Sequence, residues 1–142
     1  MNNFEILQFP TTRGGSRSPL VGNTMALTRT FAENGSIKYN ALTFSREISQ
    51  LLNQKALTHI QLHIDKYTGV VYMVCLRGDD SADARIVKHN TTHTLQCNNR
   101  NLVLYLLKKF GVDEKMTVRG YRFEVSPDLS NSDEFATFRI VL

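Results

Sequence analysis

The chain has 142 residues, 42% of them apolar and 21% charged, with a formal net charge of +4 and an isoelectric point near 9.2. That is the balance of an ordinary globular chain, one domain or two small fused repeats, able to bury roughly 70% of its unfolded surface without disulfide staples. It excludes a membrane-spanning helix, since no apolar run approaches ~20 residues, and a charge this modest permits an acidic partner such as nucleic acid without requiring one.

Residues 1–24 differ from the rest. Met1-Asn2-Asn3-Phe4 offers neither a basic n-region nor an apolar h-region, so a cytosolic setting is the expectation. Phe4, Ile6, Leu7 and Phe9 make a short apolar run that Pro10 ends. The following stretch, 11–19, is rich in Gly, Ser and Pro and carries Arg13 and Arg17. Such a segment cannot fold alone and orders only when something ties it down. It reads as an extended arm whose hook (Phe4, Ile6, Phe9, Arg13, Arg17) docks on a neighbouring subunit, another protein or its own domain.

From residue 25 the patterning is that of a folded body. Leu27, Arg29 and Phe31 share one strand face, with Ala26, Thr28 and Thr30 on the other. Asn34-Gly35 signals a hairpin, and Ile37 and Tyr39 resume the alternation. Phe44, Ile48, Leu51 and Leu52 then fall on one helical face over 44–53, with Thr43 or Ser45 as N-cap. Ile60, Leu62 and Ile64 alternate as a half-buried strand, and a turn at 66–69 leads into a β-rich run over 70–76. A polar, acidic linker follows at 78–84.

The plan recurs over 85–142. A strand over 85–89 and a turn at 90–92 precede Leu95 and Cys97. Asn98 or Asn99 caps a helix whose stripe is Leu102, Tyr105, Leu106 and Phe110, with Lys108 and Lys109 in its last turn and Gly111 just past its end. Met116, Val118, Tyr121, Phe123 and Val125 form the next strand, with a bulge near Arg119-Gly120. After a polar loop over 126–134, Ala136, Phe138, Ile140 and Leu142 alternate in a last strand. The expected class is α+β, mostly β: two β-β-α-β-β repeats (25–77 and 85–142) forming a small pseudo-dimeric barrel.

Each half resembles the AbrB/SpoVT type of swapped-hairpin DNA-binding domain. The stretches that carry the resemblance are 33–39, 44–52, 60–64 and 70–74, in the order strand, helix, hairpin. More loosely the chain resembles small tandem proteins of bacteriophages and mobile elements of gut Bacteroidetes. The resemblance implies a non-enzymatic regulator that binds duplex DNA through cations on the first hairpin and around the helix of each half. Those positions are Arg29, Lys38 and Arg46, and then Arg85, Lys88 and Arg100. Where that family places Gly-Arg, an apolar residue and Pro after the turn, this chain has Gly35-Ser36-Ile37-Lys38. The other reading is a structural virion or assembly protein whose arm docks on neighbours, placing it in the virion rather than the host cytoplasm.

Catalytic signatures are absent. There is no P-loop, GxGxxG or GxSxG, and nothing pairs a nucleophile with a base. His59/His63 and His89/His93 have HxxxH spacing but no third ligand, and the Asp79, Asp80, Asp83 cluster lacks EF-hand spacing. Cys75 and Cys97 read as free thiols acting as small hydrophobes. No enzyme activity, metal, cofactor or small-molecule substrate is expected.

Overall fold

The computed structural model describes residues 19–78, 84–88, 94–128 and 134–142. Alternating patterning becomes strand wherever one face can be buried. β1 (Thr24–Phe31) turns through Asn34 and Gly35 into β2 (Ile37–Phe44), followed by α1 (Arg46–Gln54), β3 (His59–Ile64) and β4 (Val71–Leu76). The second half runs β5 (Ala84–Lys88), β6 (Leu95–Cys97), α2 (Arg100–Lys109), β7 (Val118–Pro127) and β8 (Phe135–Ile140).

The eight strands close into an antiparallel barrel in the order β1-β2-β6-β5-β3-β4-β8-β7, with β7 returning to β1. The halves interleave. β3 pairs with β5 (His59 opposite Arg85) and β7 with β1 (Thr24 opposite Glu124), while β2 meets β6 and β4 meets β8. Exchanging β1 with β5, β2 with β6, β3 with β7 and β4 with β8 leaves every neighbour relation in the ring unchanged. Inward side chains from both halves, among them Met25, Leu27, Leu42, Phe44, Ile60, Met73, Cys75, Cys97, Phe123 and Phe138, form a single core. Ile48 and Leu52 of α1, and Leu102, Val103, Leu106 and Leu107 of α2, join it.

The helix ends are built alike. Ser45 Oγ accepts from the Ile48 amide at 3.2 Å, and Asn99 Oδ1 from the Leu102 amide at 3.0 Å, each satisfying an otherwise orphaned donor. Both C-termini close with the paired bonds of a Schellman motif: Ala56 to Asn53 and Leu57 to Leu52 in α1, Gly111 to Lys108 and Val112 to Leu107 in α2. The residue in the left-handed region is Gly111 (φ 75°) in one helix and Ala56 (φ 54°) in the other. The equivalence is offset by 54 residues at the caps and by 55 at the C-termini, because α2 is one residue longer.

Several expectations need correction. Phe44 is not the first helical residue. It ends β2 with its ring wholly buried, and the helix waits for the extended Ser45. Tyr105 lies off the apolar stripe at 37% exposure, because α2 buries the broader face of Leu102, Val103, Leu106 and Leu107. Ile64 is 48% exposed: β5 pairs with β3 only at His59 and Ile60, so the far end of the β3–β4 hairpin overhangs the barrel. Met116 is exposed in a turn before β7 rather than in the strand, and Leu142 is exposed beyond β8. Ala84 belongs to β5 rather than to the linker, whose residues 79–83 lie outside the described residues, as does the turn at 90–92. The bulge falls where expected. The β1–β7 register slips between Leu27 and Arg29, opposite Gly120 (φ 69°), whose amide donates to Thr28 Oγ1 at 3.1 Å.

The two C-caps give a paired test by urea denaturation. Gly111→Ala should lower stability by about 1 kcal/mol, because a Cβ is strained at that φ although nothing crowds it. Ala56→Gly should raise stability by about 0.5 kcal/mol, since strain relief exceeds the added unfolded-state entropy.

Candidate functional site

The six cations expected to contact a partner do not form one patch. Register places four of them as two pairs. Asn40 Nδ2 donates to the Asn98 carbonyl at 2.7 Å, which brings the β1–β2 hairpin beside the N-terminus of α2; exposed Lys38 stands two residues before Asn40 and exposed Arg100 two after Asn98. At the other end Lys88 opposes Leu95, and the Leu95 amide donates to Ser49 Oγ of α1 at 3.0 Å. Exposed Lys88 thus sits opposite the residue bonded to α1, whose first residue is exposed Arg46. Six residue steps separate Lys38 from Phe44, and at about 3.3 Å each they put these points of β2 roughly 20 Å apart. Arg85 is exposed but faces His59 across β3, away from both pairs.

Arg29 is not a surface cation. It follows Met25 and Leu27 on the inward face of β1 and is only 3% exposed. Its Nη1 donates to the Glu114 carbonyl at a long 3.3 Å, and its guanidinium carbon sits 5.7 Å from the centre of the Phe31 ring. Its Nε is buried without a partner, and among the described residues no carboxylate pairs with it. Arg29 lines a cleft of about 410 Å³ at this end of the barrel, between the β1–β2 turn, α2 and the α2–β7 connection. Arg100 and Lys115 share its wall, and Glu114 is the one carboxylate there. The Glu114 carboxylate lies 3.7 Å from Lys108 Nζ, in solvent. Sequence reasoning passed over Lys115. Its only signal is its place in the connection that follows a helix ending in two lysines.

Residues 20–22, just before β1, are fixed on α1. Ser45 Oγ donates to the Gly22 carbonyl, the Arg46 amide to Leu20 O at 3.3 Å, and the Gly22 amide to Glu47 Oε2 at 2.7 Å. That last bond holds the Glu47 carboxyl below its usual range. The hook residues Phe4, Ile6, Phe9, Arg13 and Arg17 lie outside the described residues, as do Asp79, Asp80, Asp83, His89 and His93.

His59 and His63 engage local partners: His59 Nδ1 lies 2.7 Å from Thr58 Oγ1, and His63 Nε2 lies 3.1 Å from Gln61 Oε1. Among the described residues no group of three or more His, Cys, Asp or Glu able to hold a metal occurs, and no helix is long and apolar enough to cross a membrane. Comparison of the chain with protein-family models, with curated proteins and with solved structures returns no match.

Cys75 and Cys97 are free and buried. Burial, reinforced by the neighbouring Cys97 sulfur, pushes the Cys75 thiol up to about 12. Burial also raises Cys97, partly offset by a hydrogen bond from the Asn99 backbone. A thiol is nucleophilic only as thiolate. Iodoacetamide at pH 8 should therefore label neither cysteine in the folded chain and both after unfolding in urea. The pH dependence has a definite sign. Below the ordinary thiol value of 9.0 both states hold the Cys75 proton and its contribution is complete. Above it the unfolded chain ionises first, so the urea midpoint should fall steadily from pH 9 to 12, and less steeply in Cys75→Ala.

Proposed function

We propose that the chain is a non-enzymatic DNA-binding protein of bacteriophage or mobile-element type. In this reading it is a duplicated AbrB-like swapped-hairpin barrel, completed within one chain rather than by two. The observation that carries the reading is the ring order that survives exchange of the two halves, together with cationic pairs set at matching ends. Lys38 and Arg100 occupy one end, Arg46 and Lys88 the other. Each pair joins a hairpin cation of one half to the first helical residue of the other. Two separated positive ends fit phosphates on a duplex backbone, and such contacts supply affinity without base readout. Arg29, being buried, has no place in this interface. The setting is then the host cytoplasm.

A second reading, a virion or assembly component, is favoured by the anchored root of the arm. Bonds with Ser45, Arg46 and Glu47 hold Leu20 and Gly22, the described residues at the start of the chain, on α1. Deleting residues 1–18 would then abolish assembly while leaving the barrel folded.

Gel shifts with a nonspecific duplex decide the first reading. Binding at low salt should weaken with log[salt] at a slope of about −3 to −4, the limit for four phosphate contacts. Lys38→Glu, Arg46→Glu and Lys88→Glu combined should abolish binding while leaving the circular dichroism spectrum unchanged, all three side chains being exposed. Absence of a shift at low salt, or intact binding by the triple variant, would sink the DNA reading.

A further inference from the structure

We propose that the barrel-end cleft around Arg29 is a binding site for a small phosphate-type oxyanion, free in solution rather than carried on a duplex. A guanidinium inside a protein is costly unless a counter-charge and hydrogen-bond acceptors surround it. Arg29 has neither in full: one long bond to a carbonyl, an unpartnered buried Nε, and no carboxylate pair among the described residues. The Phe31 ring offsets a small part of the cost at 5.7 Å.

The surroundings of Arg29 supply what a ligand of opposite charge needs. Arg100 and Lys115 stand on the same cleft wall. Arg100 is the first residue of α2, and Leu104, one turn on, lines the same cleft. The turn residues Gly35 and Ser36 also line it. Ser36 donates both its amide and its hydroxyl to Asn34 Oδ1, so it shapes the cleft rather than binding. The Glu114 carboxylate opposes an anion but is drawn outward to Lys108, leaving two arginines and a lysine against one acid. Two guanidinium forks favour an oxyanion with several acceptors over a spherical ion. The volume of about 410 Å³ admits a phosphomonoester as well as inorganic phosphate. A duplex, whose phosphates meet only surface cations, does not reach a side chain 3% exposed.

The test uses the full chain and inorganic phosphate at fixed ionic strength, with chloride and acetate as controls. Phosphate should raise Tm by about 5–10 °C at a hundredfold excess over its Kd. It should also shift the Gly35, Ser36 and Lys115 amide resonances saturably. Arg100→Gln with Lys115→Gln, both at exposed positions, should weaken phosphate about tenfold. Arg29→Met should abolish the phosphate response while keeping stability in phosphate-free buffer at or above that of the parent. Should that variant fail to fold, the exposed pair decides alone. An equal response to chloride or acetate, an unsaturable one, or unchanged phosphate affinity in the exposed pair overturns the proposal. Displacement of phosphate by a short duplex at matched ionic strength overturns it too, by assigning the cleft to a backbone phosphate. A negative gel shift leaves this test untouched, because phosphate binding is read directly.

Discussion

Everything in this molecule depends on the pairing of β3 with β5 and of β7 with β1. Neither half can close a sheet alone. Its two hairpins, β1–β2 and β3–β4 in the first half, make no ladder with each other. Each instead finds its missing neighbours in the other half, so every strand has two neighbours and only stretches such as the overhanging end of β3 lack a ladder partner on one side. The contacts that close the ring join residues far apart in sequence, such as Thr24 with Glu124 and Tyr72 with Arg139. Folding must therefore meet loop-closure entropy before the core rewards it. Short local devices lessen that burden. The Asn34 turn, the Asp65 side chain accepting from the Tyr67 and Thr68 amides, and the paired helix caps all form without long-range help.

The helices are fixed by the same economy. Both are short, and isolated helices of this length are unstable in water. Each holds its place by two buried turns, a side-chain N-cap and a Schellman closure that returns an apolar residue, Leu57 or Val112, to the core. α1 carries an extra duty. Its first turn receives the chain entering the barrel, through Ser45 and Glu47, so the same N-terminus caps the helix and holds Gly22.

Local features were legible in the amino-acid sequence because their causes are local. Asn99 and Gly111 carry the chemistry that helix ends demand, and Gly120 marks a bulge because only a residue without Cβ accepts its φ easily. Ala56 gave no such signal, and its left-handed conformation is imposed by the closure around it. Phe44 and Ile64 were misplaced for a different reason. Their environments depend on where the barrel wall ends, a property of strand partners that periodicity within one segment does not carry. The β2–β6 and β4–β8 ladders were likewise beyond reach of any single-segment pattern. For the cations the decisive information was in hand: Arg29 alternates with Leu27 and Phe31 on one strand face, so its burial follows from the same rule that buries Leu27. What the pattern did not carry was the pairing of Lys38 with Arg100 and of Arg46 with Lys88, which arises only when β2 and β6 meet.

The two halves differ in the connection that follows each helix, and that difference shapes the cleft around Arg29. α1 passes to β3 through residues 55–58, and α2 passes to β7 through residues 110–117. The shorter connection runs straight from its C-cap into the wall, with Leu57 buried. The longer one loops outward, and Asp113 steadies it by accepting from the Lys115 amide at 2.8 Å. It thereby places Glu114 and Lys115 over the end of β1. β1 in turn runs past buried Leu27 to Arg29 and Phe31 at the cleft, whereas the terminal cation of β5, Lys88, is in solvent. A guanidinium under a loop and an ammonium at a rim are different objects. The first is desolvated and short of acceptors, so it gains most from a single small anion. The second keeps its water and gains only from a partner that brings many charges at once. One fold framework thus holds two kinds of positive site, and burial rather than net charge divides them.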